Sequence, residues 1–451
     1  MSYRFVYADS LLRWRRCLAP ALFFVSSLCC NVPAQAAELP KSTALPDTGQ
    51  QRHDQLQDAG ARASPAQRLS FWDVPRAGGN SFNRLPPSLA YFKALKAYGA
   101  EWVRLSYDKW QPAQRDFLLG NADRYDHLAP EDLATLRATL DRAHASGLKV
   151  VVAPLSLPGM RWSQNNDGVF DDRLWQDRTY WDQSAAFWRD LATALKDHPA
   201  IAAYNLINEP APEKQGSLAE HADPDTMRAW YANQRGTARD LPAFYTHVID
   251  AIREVDRDTP VMVDAGWFAA ADAFAYWPYP LDDRRVLYSV HMYEPYAATS
   301  APNLKRQPPY DYPGLVPFAG SLGRWDATRV AAYLRQAFDW SAMHSVPTNR
   351  MVVGELGCVS QMPWCAQYLE DVLGTIDRLE SHWAFYSFRE DTWDAMDYEL
   401  GRTKVPPAYW QAIDQGLPDP MTRHATPEFE PIARRLAPRI GAMPDAVPAV
   451  D

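Results

Sequence analysis

Cysteine is scarce in this chain, with five in 451 residues. Cys17, Cys29 and Cys30 fall in the first thirty positions, so only Cys358 and Cys365 lie in the body of the sequence. Two cysteines with no histidine close by in sequence make a poor zinc site, which takes about four ligands. No long basic run offsets the formal net charge of −9, which argues against nucleic acid as a partner. Nor does any apolar run reach the roughly 20 residues that a bilayer-spanning helix needs.

The nearest approach to such a run is residues 17–30, preceded by Arg13, Arg15 and Arg16 and followed by Ala34-Gln35-Ala36. A basic start, a short apolar stretch and a small-x-small site describe an export signal, here residues 1–36. Those residues carry +3, so cleavage leaves a mature chain of −12 with no stable membrane span. The expected location is periplasmic or secreted. In that compartment Cys358 and Cys365, seven apart, are expected to form a disulfide.

What the chain has in quantity is aromatic residues, 12% of the total including 17 Trp. The rings serve either as core or as stacking faces in a cleft. Residues 37–67 are polar with no apolar period and read as a flexible linker. From there, apolar strands and amphipathic helices alternate with no second shift in composition, which predicts one domain over 68–440 and a tail over 441–451. The strands are expected at 69–74, 102–105, 149–154, 201–207, 260–264, 286–290, 351–354 and 382–388, with a Gly-rich loop after the first. Helices between them show their own signals. One begins at Pro130, aligns Leu133, Leu136, Leu140 and Ala143 on one face, and stops at Gly147. Residues 211–240 read as a polar insertion, and 296–325 as a Pro- and Tyr-rich loop long enough to wall a cleft. Eight strands separated by helices predict an α/β fold, a single (β/α)8 TIM barrel with extended βα loops. An open doubly wound sheet is the alternative, disfavoured because no phosphate-binding Gly loop follows the first strand.

Chemistry concentrates where strands end. The run 201–207 is nearly all apolar and stops at Asn208-Glu209-Pro210. By itself this reads equally as a turn with a solvated Glu. Met351-Val352-Val353-Gly354-Glu355-Leu356-Gly357 repeats the pattern, and two carboxylates at strand ends are what glycosidic bond cleavage uses. Arg104 lies near the end of the second strand, and His291 and Tyr293 follow the sixth.

This ordered set resembles glycoside hydrolase family 5, the cellulase family of retaining glycosidases, over roughly residues 69–400. The resemblance implies Glu209 as acid/base and Glu355 as nucleophile, with no cofactor and no metal. Arg104 and Tyr293 are then the neighbours expected to lower the pKa of Glu355, by charge and by hydrogen bonding. Asn208 would hold the 2-hydroxyl of the sugar, and His291 would line the cleft. Trp267 joins the substrate-binding candidates, while Trp162 and Trp393 have no assignable subsite.

Two positions depart from the family pattern. Ser156, in Pro154-Leu155-Ser156-Leu157-Pro158-Gly159, stands where the family commonly has His. Tyr386, in Trp383-Ala384-Phe385-Tyr386-Ser387-Phe388, stands where it usually presents Trp beneath the cleaved sugar. The expected partner is therefore a β-linked polysaccharide or oligosaccharide, substituted or non-cellulosic, met by a monomer. Transglycosylation by the same two carboxylates and a non-catalytic carbohydrate-binding barrel are the alternatives. A metal-dependent barrel hydrolase would need more strand-end imidazoles than His291.

Overall fold

The computed structural model describes residues 65–437, apart from residue 416. The expected signal (1–36), most of the linker and the tail (441–451) lie outside the described residues. Eight parallel strands close into a barrel: β1 (Ala77–Ser81), β2 (Trp102–Leu105), β3 (Lys149–Val152), β4 (Ile201–Asn205), β5 (Val261–Asp264), β6 (Val286–Met292), β9 (Met351–Leu356) and β10 (His382–Phe385). Strands β7 (Gly314–Phe318) and β8 (Ser321–Trp325) form a separate antiparallel hairpin in the loop after β6. The ring closes where β1 pairs with both β2 and β10. Among the described residues no helix is long and apolar enough to cross a membrane.

The buried strands β2 to β6, β9 and β10 coincide with the apolar runs, as expected of strands covered on both faces. The helix Leu89–Ala97 starts where Ser88 Oγ accepts the Tyr91 amide, and Ala327–Met343 starts where Asp326 accepts that of Arg329. The first expected strand is corrected. Residues 69–74 are not a strand: Pro65–Ser70 is a helix, and Trp72 follows it into the bottom of the barrel. There Trp72 is fully buried against Trp102, Met262, Leu287 and Val352, and its indole N–H donates to the Ala202 carbonyl. The apolar residues that looked like a strand are the plug.

The true β1 is the segment read as a Gly-rich loop, Ala-Gly-Gly-Asn-Ser. A Cβ on Gly78 would lie 2.4 Å from the Trp102 carbonyl oxygen, so Trp102 of β2 leaves no room for a side chain there. The segments read as unstructured also hold elements: the helix Pro224–Gln234 in 211–240, and two single-turn helices and the β7–β8 hairpin in 296–325.

The expected Cys358–Cys365 disulfide is present, with Cα atoms 5.8 Å apart and both residues fully buried. It closes a loop carrying Trp364 just beyond β9. Tyr398 joins this loop to the end of β10: its hydroxyl receives the Cys358 amide and donates to the Tyr386 carbonyl. Removing both cysteines (Cys358→Ser with Cys365→Ser) should cost about 2–3 kcal/mol, the entropy of freeing so short a loop. Urea unfolding measures the loss. Thiol titration of the unfolded, unreduced mature protein should find none, and two free thiols there would show that the bridge does not form.

Candidate active site

Arg104 is the hub of the barrel mouth. It lies one residue from the end of β2, its side chain is 1% exposed, and a guanidinium presents five donors in a fixed fork. Nε donates to Asn205 Oδ1 (2.8 Å). Nη1 donates to Glu355 Oε1 (2.6 Å) and, more weakly, to Asn80 Oδ1 (3.4 Å). Nη2 donates to Asn208 Oδ1 (2.7 Å) and to Asp264 Oδ2 (3.1 Å). One cation thus fixes residues from β1, β4, β5 and β9 and the turn after β4. Because arginine only donates, the atom of Asn208 facing it is the amide oxygen, and its NH2 is left for another partner.

Glu355 is held from the other side by Tyr293, whose hydroxyl donates to Oε2 (2.7 Å). Its neighbour Gly354 is required by packing, since a Cβ there would lie 2.4 Å from Ser289 Oγ on β6. That close approach of β6 and β9 sets His291 opposite Glu355 in register. His291 Nδ1 lies 2.9 Å from Glu209 Oε1 and 3.7 Å from Glu355 Oε2. One oxygen of Glu209, one of Glu355 and a ring nitrogen of His291 all lie within 4.8 Å of one another.

Glu209 itself sits at φ +50°, in the left-handed region, and its backbone N–H donates to Asp264 Oδ2 (3.1 Å). A non-glycine residue held there carries strain of about 1–3 kcal/mol, which the surrounding structure sustains. The two carboxylates differ in access: the Glu209 side chain is 31% exposed and that of Glu355 10%. Burial pushes the Glu355 carboxyl up, while His291, Arg104 and Tyr293 pull it down; the balance stays above the ordinary glutamate value. The expected lowering by Arg104 and Tyr293 is therefore real in direction but outweighed by burial, with Glu209 adding to the upward push. Burial pushes His291 down, but Glu355, Asp264 and Glu209 outweigh it and hold the imidazole above its usual value.

The structure brings together Glu209, Glu355, Arg104, Asn208, His291 and Tyr293. The other three substrate-binding candidates are placed more deeply. Ser156 Oγ accepts the Trp162 amide (3.0 Å) and is nearly enclosed, with Asp108 beside it held up at about 6 by burial against the hydrogen bonds of Leu155 and Ser156. Trp267 is buried, in a left-handed turn after β5 that continues through Phe268 and Ala269. Its backbone N–H donates to the carboxylate of Glu213 (3.0 Å), which also takes the Tyr231 hydroxyl; burial raises Glu213 to about 7 despite both. Tyr386 begins a cis peptide to Ser387, and its hydroxyl donates to Glu390 Oε2 (2.8 Å), which is ion-paired with Lys109.

Sequence reasoning missed Asp264, Asn205, Asn80 and Glu390. Asp264 carried a signal, as the only acid in the apolar run of β5 and its last residue. The asparagines carried none, because which strand residues point inward depends on the barrel register.

Comparison with known proteins bears on the family and the fold. The model of the cellulase family, glycosyl hydrolase family 5, matches residues 71–392. A beta-xylosidase from Phanerodontia chrysosporium is 25% identical over 242 residues, 49% of this chain and 44% of that protein, so the match spans less than half of the relative's length. Among solved structures, the Pseudomonas stutzeri endoglucanase Cel5A superposes with a TM-score of 0.52 at 17% identity, covering 81% of this chain and 97% of that one. Endoglucanase Cel5A from Thermotoga maritima gives 0.53 at 14% identity, covering 75% and 96%. At such identities the solved structures speak to the fold, the closed eight-stranded barrel, and the family match speaks to the chemistry. The chain belongs to the cellulase family, glycosyl hydrolase family 5.

Proposed function

We propose that this enzyme cleaves its β-glycan with retention, Glu355 attacking the anomeric carbon and Glu209 serving as acid and then base. The observation that carries this is the spacing of the two carboxylates, whose facing oxygens lie within 4.8 Å. Retaining enzymes hold their carboxyl groups about 5–5.5 Å apart, whereas inverting ones leave about 6.5–9.5 Å for a water. Exposure supports the division of roles. Glu209, the more open of the two, can reach the leaving oxygen and then a water or a sugar acceptor. Glu355, enclosed and tied by Arg104 and Tyr293, keeps one orientation for attack. His291 steadies Glu209 through Oε1. The amide NH2 of Asn208, left over after Arg104 takes its oxygen, donates to the 2-hydroxyl of the reacting sugar, a contact that strengthens in the transition state.

The substrate we infer is a substituted or non-cellulosic β-glycan. A tyrosine presents a smaller stacking face than tryptophan, and Tyr386 brings with it a polar chain of hydroxyl, Glu390 and Lys109. The partial likeness to a beta-xylosidase adds xylose-bearing chains to the candidates. Two measurements test the reading. NMR of the first-formed product should show the β anomer, and an α product would overturn retention. Values of kcat/KM on cello-oligosaccharides should fall below those on substituted, mixed-linkage, mannan or xylan substrates. Cello-oligosaccharides leading by tenfold, about 1.4 kcal/mol of transition-state binding, would overturn the substrate assignment.

A further inference from the structure

Glu209 stands near the start of the loop after β4 and Tyr293 at the start of that after β6, and the two loops meet again around His221. We propose that His221 is a positioning residue, a role that rests on Glu355 being the nucleophile: as an imidazolium it ties the loop of the acid/base to Glu294 and so keeps Tyr293 aimed at Glu355. Its Nδ1 lies 2.7 Å from Asp272 Oδ2, in the loop after β5. Its Nε2 lies 3.5 Å from Glu294 Oε1 and 3.7 Å from Glu220 Oε1. Both ring nitrogens thus face carboxylate oxygens. A neutral imidazole has one N–H and one lone pair, so one nitrogen would turn its lone pair on an acid, whereas an imidazolium donates from both.

Packing holds the ring in place. The side chain is 8% exposed, stacks on Phe318 of β7 (4.2 Å between centroids, 28° between planes) and meets the edge of Tyr333 on the helix Ala327–Met343. The Tyr333 hydroxyl also donates to Asp272 Oδ1 (3.3 Å). Glu220 adjoins His221 in the chain, and Arg329 stands 5.7 Å from the Phe318 centroid. Burial pushes the imidazole down, but the hydrogen bonds and charges of Asp272 and Glu294 outweigh it and hold the group up at about 10. One charged ring therefore joins the loops after β4 and β5 to two places in the loop after β6, Glu294 and the β7–β8 hairpin.

Glu294 passes this hold to the site through one peptide bond. Its Oε1 faces the ring, its Oε2 accepts the Tyr296 amide (2.7 Å), and its carbonyl accepts the Tyr368 hydroxyl (3.0 Å). Tyr293, the residue before it, accepts the Thr299 hydroxyl at its carbonyl and donates its own hydroxyl to Glu355 Oε2 (2.7 Å). β6 ends at Met292, so Tyr293 lies beyond the ladder of the sheet and takes its direction from these contacts. Without the imidazolium, the enclosed carboxylates of Asp272 and Glu294 lose the charge between them, and such groups shift toward water. A hydrogen bond weakens steeply with misalignment, so Tyr293 then holds the Glu355 carboxyl down less. Glu355 must be ionised to attack, and the acid limb of kcat/KM therefore moves to higher pH.

The test combines NMR with pH–rate profiles of the full-length protein. The assigned nitrogen-15 signals of His221 should show both ring nitrogens protonated from about pH 5 to about pH 9. A ring neutral at about pH 7 overturns the proposal. His221→Gln should raise the acid limb of kcat/KM by about one unit, the scale of one hydrogen bond to a charged group. An unmoved limb in the folded variant overturns the proposal and leaves His221 a structural strut. Added to Tyr293→Phe, His221→Gln should move the limb no further. A further shift of the same size would mean that the ring acts on Glu355 by charge through space, which overturns the route through Tyr293. Should His221→Gln fail to fold, Glu294→Asp keeps the charge but draws the carboxylate back from the ring, and the same upward shift is expected; an unmoved limb there overturns the proposal as well. The roles of the two glutamates are tested apart from this, by the anomer of the first-formed product, so a β anomer together with an unmoved limb sinks the positioning role alone.

Discussion

Glu355→Ala should lose at least about 10^4-fold in turnover of a β-aryl glycoside, and added azide should restore product formation as the α-glycosyl azide. A loss of that size is roughly 5.5 kcal/mol of transition-state stabilisation, the scale expected when a covalent catalyst is removed. Truncating Glu355 empties the space below the anomeric carbon and frees Arg104 Nη1 and the Tyr293 hydroxyl, two donors that can steady a small anion there. Azide then attacks once, from the face that Glu355 used, and the single displacement inverts the centre. Glu209→Ala should behave differently. A substrate with a good leaving group needs no acid, so glycosylation proceeds and the intermediate accumulates for want of a base, giving a burst followed by slow turnover. The configuration of the azide product decides the roles: a β-glycosyl azide from Glu355→Ala would mean that Glu209 and Glu355 are assigned the wrong way round.

Most of this frame was legible in the sequence for one physical reason. Parallel barrel strands are covered on both faces, so Lys149–Val152, Val286–Met292 and Met351–Leu356 appear as apolar runs, and His291 and Glu355 near the ends of the last two mark the mouth. β1 broke the rule because its space is filled from outside. Trp102 crowds Gly78, and a strand without large side chains has no hydrophobic signature. The β7–β8 hairpin did carry a signal that was passed over. Phe318-Ala319-Gly320-Ser321 is a two-residue turn with φ of +50° and +77° at its centre, the pattern that matches the twist of paired strands. The two glutamates were legible because each follows an apolar run, 201–207 and 351–353. The residues that hold them, Asn80, Asn205 and Asp264, were not, because they converge on Arg104 only after eight strands have closed in register.

Arg104 therefore carries the second large expectation. Arg104→Gln removes the cation 2.6 Å from Glu355 Oε1, leaving burial and Glu209 opposed only by His291 and Tyr293. A carboxylate beside an arginine is typically held down by about 1–3 pK units, so the Glu355 carboxyl should rise by an amount in that range. The sign follows directly. Glu355 must be ionised to attack, its pKa already stands above the ordinary value, and raising it further moves the acid limb of the kcat/KM profile to higher pH. At neutral pH the variant should lose about 10^2–10^3-fold. Breaking a buried ion pair should also cost about 3–5 kcal/mol of stability, since Asp264 and Glu355 both lose a partner. Arg104→Lys separates charge from geometry. An ammonium keeps the positive charge but cannot fork to Asn205, Asn208, Asp264 and Glu355 together. Its acid limb should stay nearer that of the wild type while kcat falls, because Asn208 is no longer aimed. The check is a pH–rate profile of both variants, with circular dichroism and thermal unfolding to confirm the fold. If both acid limbs coincide with that of the wild type, Arg104 does not govern the ionisation of Glu355, and its place in the site is structural alone.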